Sequence, residues 1–125
     1  MQSSEGIALF ALADGPSLPI VEGEGSAHAV IWPGMGAKLR SIHRIELGAG
    51  SRTIELRHPA EAVYYVMDGS GEAVDLDAAG SQALQRGSMV HVEPGTAYLL
   101  RADERGMSVV GGPSPPDPAL YEGLA

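Results

Sequence analysis

The sequence predicts an all-β sandwich or barrel, most simply a jelly roll, on two observations. Glycine and proline punctuate the chain ("DGPS", "WPGMG", "LGAGS", "DGSG", "DAAGS", "RGS", "EPGT", "ERG"), leaving segments of about 5 to 8 residues between them, the length of short strands. Helix-length amphipathic windows are missing. Many short strands joined by turns bury their apolar faces by stacking as two sheets or closing on themselves.

Taken in order, residues 1–25 mix the apolar patch "IALFALA" with Pro and Gly and are expected to form an N-terminal arm across the barrel or a neighbouring subunit. Strands are then expected over "SAHAVIW", "KLRSIHRIEL", "RTIELRH", "AVYYVMDG", "GEAVDLD", "SQALQRG", "SMVHVEP", "AYLLRA" and "MSVVGG", which sets the barrel at residues 26–112. The tail, residues 113–125, holds four of the nine prolines. It is expected to lie extended on the surface, because proline cannot supply the ladder donors of a central strand. Leu120 and Tyr121 are its large apolar anchors.

At 125 residues the chain fits one domain, so a pocket must come from one barrel, one sandwich or an oligomer interface. Acidic residues outnumber basic ones by 16 to 8, and Arg40, Arg44, Arg52 and Arg57 never form a run. This argues against nucleic acid and anionic membrane as partners. With no cysteine, any metal must be held by nitrogen and oxygen ligands. The start lacks a basic region before its apolar run, and that run is too short to span a bilayer, so a soluble, cytoplasmic protein is expected.

Period-two alternation orients the central strands. Around "RTIELRH", Ile54, Leu56 and His58 share one face, which turns His58 inward. In the next strand Ala62, Tyr64 and Val66 line the interior, while Val63, Tyr65 and Met67 face a partner or another sheet. That second face is too apolar to leave bare, and a homodimer is expected from it. His43 shares parity with Ile45 and Leu47 and turns inward in that register; in the opposite one Arg44 and Glu46 do. His91 lies near a turn, where the direction of its face is open. His28 reads as peripheral, Trp32 as a rim or packing aromatic, and Glu93 as a strand-end carboxylate.

Two spaced motifs resemble those of the cupin superfamily. The first family motif has glycine, then histidine, histidine, glutamate and glycine at fixed intervals, and here its frame runs through Gly50, Leu56, His58, Ala62 and Gly69 without insertion or deletion. The second falls on "GSMVHVEPGTAYLLRA", where Gly87 and Gly95 match. Glu93 stands at that motif's proline position, Tyr98 at its histidine and Ala102 at its asparagine. The resemblance covers about residues 40 to 110. It implies a double-stranded β-helix, the jelly-roll barrel of the cupins, and a homodimer binding a small organic molecule.

The family's usual metal is held by three histidines and one carboxylate, and at those positions this chain has Leu56, His58, Ala62 and Tyr98. One imidazole and one phenol make a poor site, so no metal and no other cofactor is expected. A divalent ion would have to use His58 with Glu61, His91 or His43. Fold alone does not fix chemistry, and three functions stay open. The first is a metal-independent isomerase, dehydratase or cyclase acting by proton transfer, with His58 as base, Tyr98 and Tyr64 as hydrogen-bond donors, and Leu56, Ala62, His43 and His91 lining the ligand. The second is a non-catalytic binding or sensing module, and the third a metal-dependent oxygenase or lyase with unconventional ligands. Against all three stands a bland possibility: His58 is a core histidine bonded to Tyr98, with no chemistry at all.

Overall fold

The computed structural model describes residues 2–4 and 6–124. Its strands are β1 (Gln2–Ser4), β2 (Ile7–Leu9), β3 (Val21–Glu22), β4 (Gly25–Ile31), β5 (Ile42–Leu47), β6 (Arg52–Thr53), β7 (Glu61–Asp75), β8 (Gly80–Gln85), β9 (Met89–Val92) and β10 (Tyr98–Ser114). Short 3-10 turns cover Pro33–Met35 and Pro118–Tyr121. Among the described residues no helix is long and apolar enough to cross a membrane.

Strands β3 to β10 form one continuous eight-stranded antiparallel sheet that folds back on itself as a nearly closed barrel. The long strands β7 and β10 run through both of its leaves. In the first leaf β4, β5, β10, β7 and β9 lie side by side, using the Met107–Ser114 half of β10 and the Glu61–Gly69 half of β7. In the second leaf the order is β3, β6, β10, β7 and β8, using Tyr98–Ala102 and Gly71–Asp75. Side chains from both leaves meet in one core, with Ile45, Val66 and Val109 from the first and Leu56, Leu84 and Leu100 from the second.

The hinge between the leaves is a glycine problem. The β7–β10 register shifts between Ala102 and Met107, and there Gly69 takes φ +79°, with a Cβ at that position falling 2.1 Å from the Gly106 carbonyl oxygen. Only a residue without a Cβ allows both the left-handed backbone and the close approach. Two expected strands on each side of this hinge thus appear as one bent strand, because the backbone ladder continues through the bend.

Alternation in β7 is as expected: Ala62, Tyr64 and Val66 are buried, Val63 and Tyr65 are exposed, and Met67 is half-buried. In β6 it slips. Thr53 is buried although it lies between the inward positions of the alternation, and its hydroxyl accepts from the Leu100 N–H and donates to the Ile54 carbonyl. A side chain inserted into the ladder ends the strand at Thr53, and Ile54 is only half-buried. Leu56 recovers a single bridge to Tyr98.

Both ends of the chain depart from expectation. The second half of the N-terminal arm belongs to the barrel, since Leu18 and Ile20 are buried, Ser17 bridges His28 and β3 pairs with β6. The first half forms the β1–β2 ladder, with Ile7 71 % and Leu9 64 % exposed. At the other end Pro113 and Ser114 continue β10, a central strand, opposite Ala62 and Glu61. Proline is tolerated there because its carbonyl is what the fold uses, accepting from the Ser41 N–H and hydroxyl. Beyond it the tail does not lie extended on the surface: it turns back and buries Asp117.

Gly69→Ala should cost about 2 kcal/mol or more of unfolding free energy. Gly80→Ala, at an open position, should change stability by less than about 0.5 kcal/mol. Urea unfolding of the two variants measures both.

Candidate functional site

His58 follows the irregular stretch after β6, where the neighbouring Arg57 fixes the loop by bonding to Asp77 and to the Gly95 carbonyl. The His58 backbone carbonyl accepts from the Gly95 N–H, which turns the imidazole inward to 3 % exposure. Both ring nitrogens are engaged: Nδ1 is 2.7 Å from Asp117 Oδ2 and Nε2 is 3.1 Å from the Tyr98 hydroxyl. Tyr98 Oη lies 2.5 Å from Tyr64 Oη. Since a carboxylate only accepts, Nδ1 carries the proton and donates to Asp117. Nε2 then accepts from Tyr98, whose oxygen accepts in turn from Tyr64. The chain has one direction, from Tyr64 through Tyr98 and His58 to Asp117.

Its electrostatics keep the phenols protonated. Burial pushes the Tyr64 hydroxyl up to about 12. Burial, then the neighbouring Tyr64 and the Asp117 carboxylate, hold Tyr98 far above the ordinary tyrosine range. Both are therefore donors at any physiological pH, and a free phenolate at either position is strongly disfavoured.

Leu56 and Ala62 are buried beside this chain. His43 is also interior; its Nε2 lies 2.7 Å from the Tyr121 hydroxyl, and Tyr121 packs against Trp32 at a tilt of 42° with ring centroids 5.2 Å apart. His91 is not in the barrel. It pairs with Val63 across β9 and β7 and shares that residue's outward parity, and its exposed ring meets Glu61 at 3.1 Å. It is therefore not among the interior residues around His58, although it stands on the wall of the cleft that Tyr98 lines. Glu61 points away from the interior too, as strand parity requires.

Asp117 is the site residue the sequence reading missed. It sits 59 positions from His58 in a proline-rich segment, where it caps the Pro118–Tyr121 turn by accepting from the Ala119 N–H. The one signal available was local: Asp before Pro is an ordinary cap or turn pattern, and it does not say that the second carboxylate oxygen is buried against an imidazole.

The interior does not suit the metal that the motif frame implies. Leu56 and Ala62 offer no donor, Tyr98 is a protonated phenol, and both nitrogens of His58 are already bonded. Among the described residues no group of three or more His, Asp or Glu converges as metal ligands. The arrangement suits instead the movement of a proton along hydrogen bonds. A cleft of about 370 Å³ opens between β8 and β9, with Ala73, Val90 and Val92 on its walls, and Tyr98 is the member of the chain that lines it.

No protein-family model matches the sequence, and no curated protein is detectably similar to it. Solved structures are. A cupin-like protein from Thermotoga maritima superposes with a TM-score of 0.70 at 17 % identity, covering 86 % of this chain and 80 % of that one. KdgF from Halomonas sp. gives 0.69 at 16 %, covering 86 % and 93 %. The polyketide cyclase RemF from Streptomyces resistomycificus gives 0.63 at 17 %, covering 93 % and 82 %. The chain has the fold of the cupins. Small-molecule enzymes are among the proteins it resembles, and at these identities the likeness is one of architecture.

Buried His43 generates a pH prediction. Burial, with a smaller contribution from neighbouring His58, lowers its pKa to about 4. As pH falls the unfolded chain takes up this proton first, so stability is full above about pH 6.5 and declines toward 4. Between about pH 7 and 5 the expected loss is about 2 kcal/mol. His43→Gln should flatten that limb in urea titrations across this range.

Proposed function

We propose that the protein binds a small carbonyl compound in its barrel and moves a proton on it without metal, as an isomerase, dehydratase or cyclase. The observation that carries this reading is the one-directional hydrogen-bond chain from Tyr64 to Asp117. A carbon acid beside a carbonyl gives its proton to the Tyr98 oxygen while Tyr98 passes its own to His58 Nε2. The two transfers are concerted, because burial makes a free Tyr98 phenolate too costly. His58 is then an imidazolium paired with the carboxylate at its Nδ1, and the Tyr64 hydroxyl, released as the Tyr98 oxygen takes up the substrate proton, turns to donate to the enolate oxygen. Return of the same proton to a different atom completes an isomerisation; its delivery to a departing hydroxide, released as water, completes a dehydration. His43 and the apolar Leu56 and Ala62 shape the space around the reacting group.

A second reading, a binding or sensing module without turnover, is favoured by one observation: His58 and Tyr64 are almost fully shielded from solvent. One experiment separates the two. Small carbonyl compounds and carboxylic acids are screened by thermal shift, and the hits are incubated with protein in deuterium oxide and followed by NMR. Wild type should exchange protons next to the carbonyl of at least one hit. Tyr98→Phe and His58→Gln, each checked for folding by circular dichroism, should slow exchange by about 10² to 10⁴-fold. Exchange unaffected by either change would overturn the proton-transfer reading, and binding without exchange in wild type would establish the second.

A further inference from the structure

The interior of this barrel is filled by its own chain. After β10 ends at Ser114, the segment 115–124 turns across the end of the barrel and sends two polar tips inward: the Asp117 carboxylate to His58 and the Tyr121 hydroxyl to His43. Leu120, Tyr121 and Leu124 pack on the core between and beside them. Among the described residues no backbone hydrogen bond joins 115–124 to the barrel. Its backbone bonds, Leu120 N–H to Asp117 and Leu124 N–H to Tyr121, are internal. Every strand of the barrel is held by a ladder, whereas this segment is held by side chains. Such attachments are replaceable one for one by a ligand that offers the same groups.

We infer that the C-terminal segment occupies the ligand site as a stand-in for the ligand, and that the true ligand is a phenolic carboxylic acid whose carboxylate takes the Asp117 bond to His58 and whose hydroxyl takes the Tyr121 bond to His43. This deepens the proposed function and rests on its use of the Tyr98–His58 pair: the ligand's carboxylate replaces Asp117 on Nδ1, while Nε2 stays with Tyr98. The occupant's chemistry defines the class: a carboxylate at one end, an apolar body, and a hydroxylated ring that packs against Trp32. A ligand that restores the acceptor on Nδ1 keeps His58 in the same tautomer, so the direction of the Tyr64–Tyr98–His58 chain survives the exchange. Opening the segment also returns water to His43, whose burial holds it neutral. Once hydrated it regains the capacity to carry charge, which draws an anion toward the opened mouth.

Closed and open states then share one equilibrium, and the apparent affinity for a ligand is reduced by the fraction of molecules that are open. Weakening the segment should therefore tighten binding, the reverse of what removing contact residues ordinarily does.

Trp32 is the single tryptophan and reports directly on what stacks against it. The probe is 3-(4-hydroxyphenyl)propanoate, titrated against Trp32 fluorescence, with propanoate and phenol as half-ligands. The full-length double variant Asp117→Ala, Tyr121→Ala should bind the probe at least about tenfold more tightly than wild type, and each half-ligand much more weakly. Should that variant fold poorly, the milder pair Asp117→Asn, Tyr121→Phe should still gain several-fold. Saturating probe should also speed chymotrypsin cleavage at Tyr121 in wild type, because binding expels the segment. Adding His58→Ala to the double variant should cost about tenfold or more in affinity. Equal affinity in wild type and the loosened variants, with binding still dependent on His58, would overturn the stand-in while leaving the His58 site intact. Tight binding that ignores His58 would overturn the carboxylate assignment, and so would failure of the probe to bind any variant.

Discussion

An imidazole buried between two sheets has two nitrogens to satisfy and no water to satisfy them, and this constraint organises the structure around His58. Leaving either nitrogen unpaired would cost about 1 to 3 kcal/mol. The barrel supplies an acceptor for one and a donor for the other from opposite directions, Asp117 and Tyr98. That choice fixes the tautomer, the tautomer fixes the direction of the Tyr98 and Tyr64 hydroxyls, and the need for Asp117 draws the C-terminal segment over the end of the barrel. Four residues from four places in the chain are thereby bound to one electronic arrangement.

The fold makes the arrangement possible by bending rather than by pairing more strands. Tyr64 lies on the first-leaf half of β7 and Tyr98 on the second-leaf half of β10, so the bond between their hydroxyls crosses the barrel from one leaf to the other. Gly69 and the register shift beside it set the angle at which the leaves meet. The two tyrosines therefore act as a polar staple inside an otherwise apolar core, in a place where an unpaired hydroxyl would be destabilising.

Much of this could be read from sequence because strand parity is local. Ala62, Tyr64 and Val66 had to share a face once β7 was recognised, and the spacing from Gly50 through His58 to Gly69 placed His58 on the inner wall beside Leu56. What could not be read depends on contacts between distant segments. Thr53 turns inward because its hydroxyl serves Leu100, a partner 47 positions away, and this breaks the alternation that Ile54, Leu56 and His58 set. His91 lay next to a turn, and only its pairing with Val63 settles that it faces outward. Four prolines argued that the tail stays outside, but Pro113 enters β10 through its carbonyl, and the argument from backbone donors is silent about a side chain. Asp117 reaches the interior by its carboxylate alone.

Asp117 locks His58 in one tautomer, which leaves Nε2 to accept from the Tyr98 hydroxyl. Long-range nitrogen–proton NMR of the histidine rings tests it most directly, recorded well above the ordinary imidazole range of pH. His58 should carry its proton on Nδ1, and its Nε2 should have the shift of a hydrogen-bond acceptor that moves when Tyr98 is replaced by Phe. A proton on Nε2, or rapid averaging between the two tautomers, would contradict it.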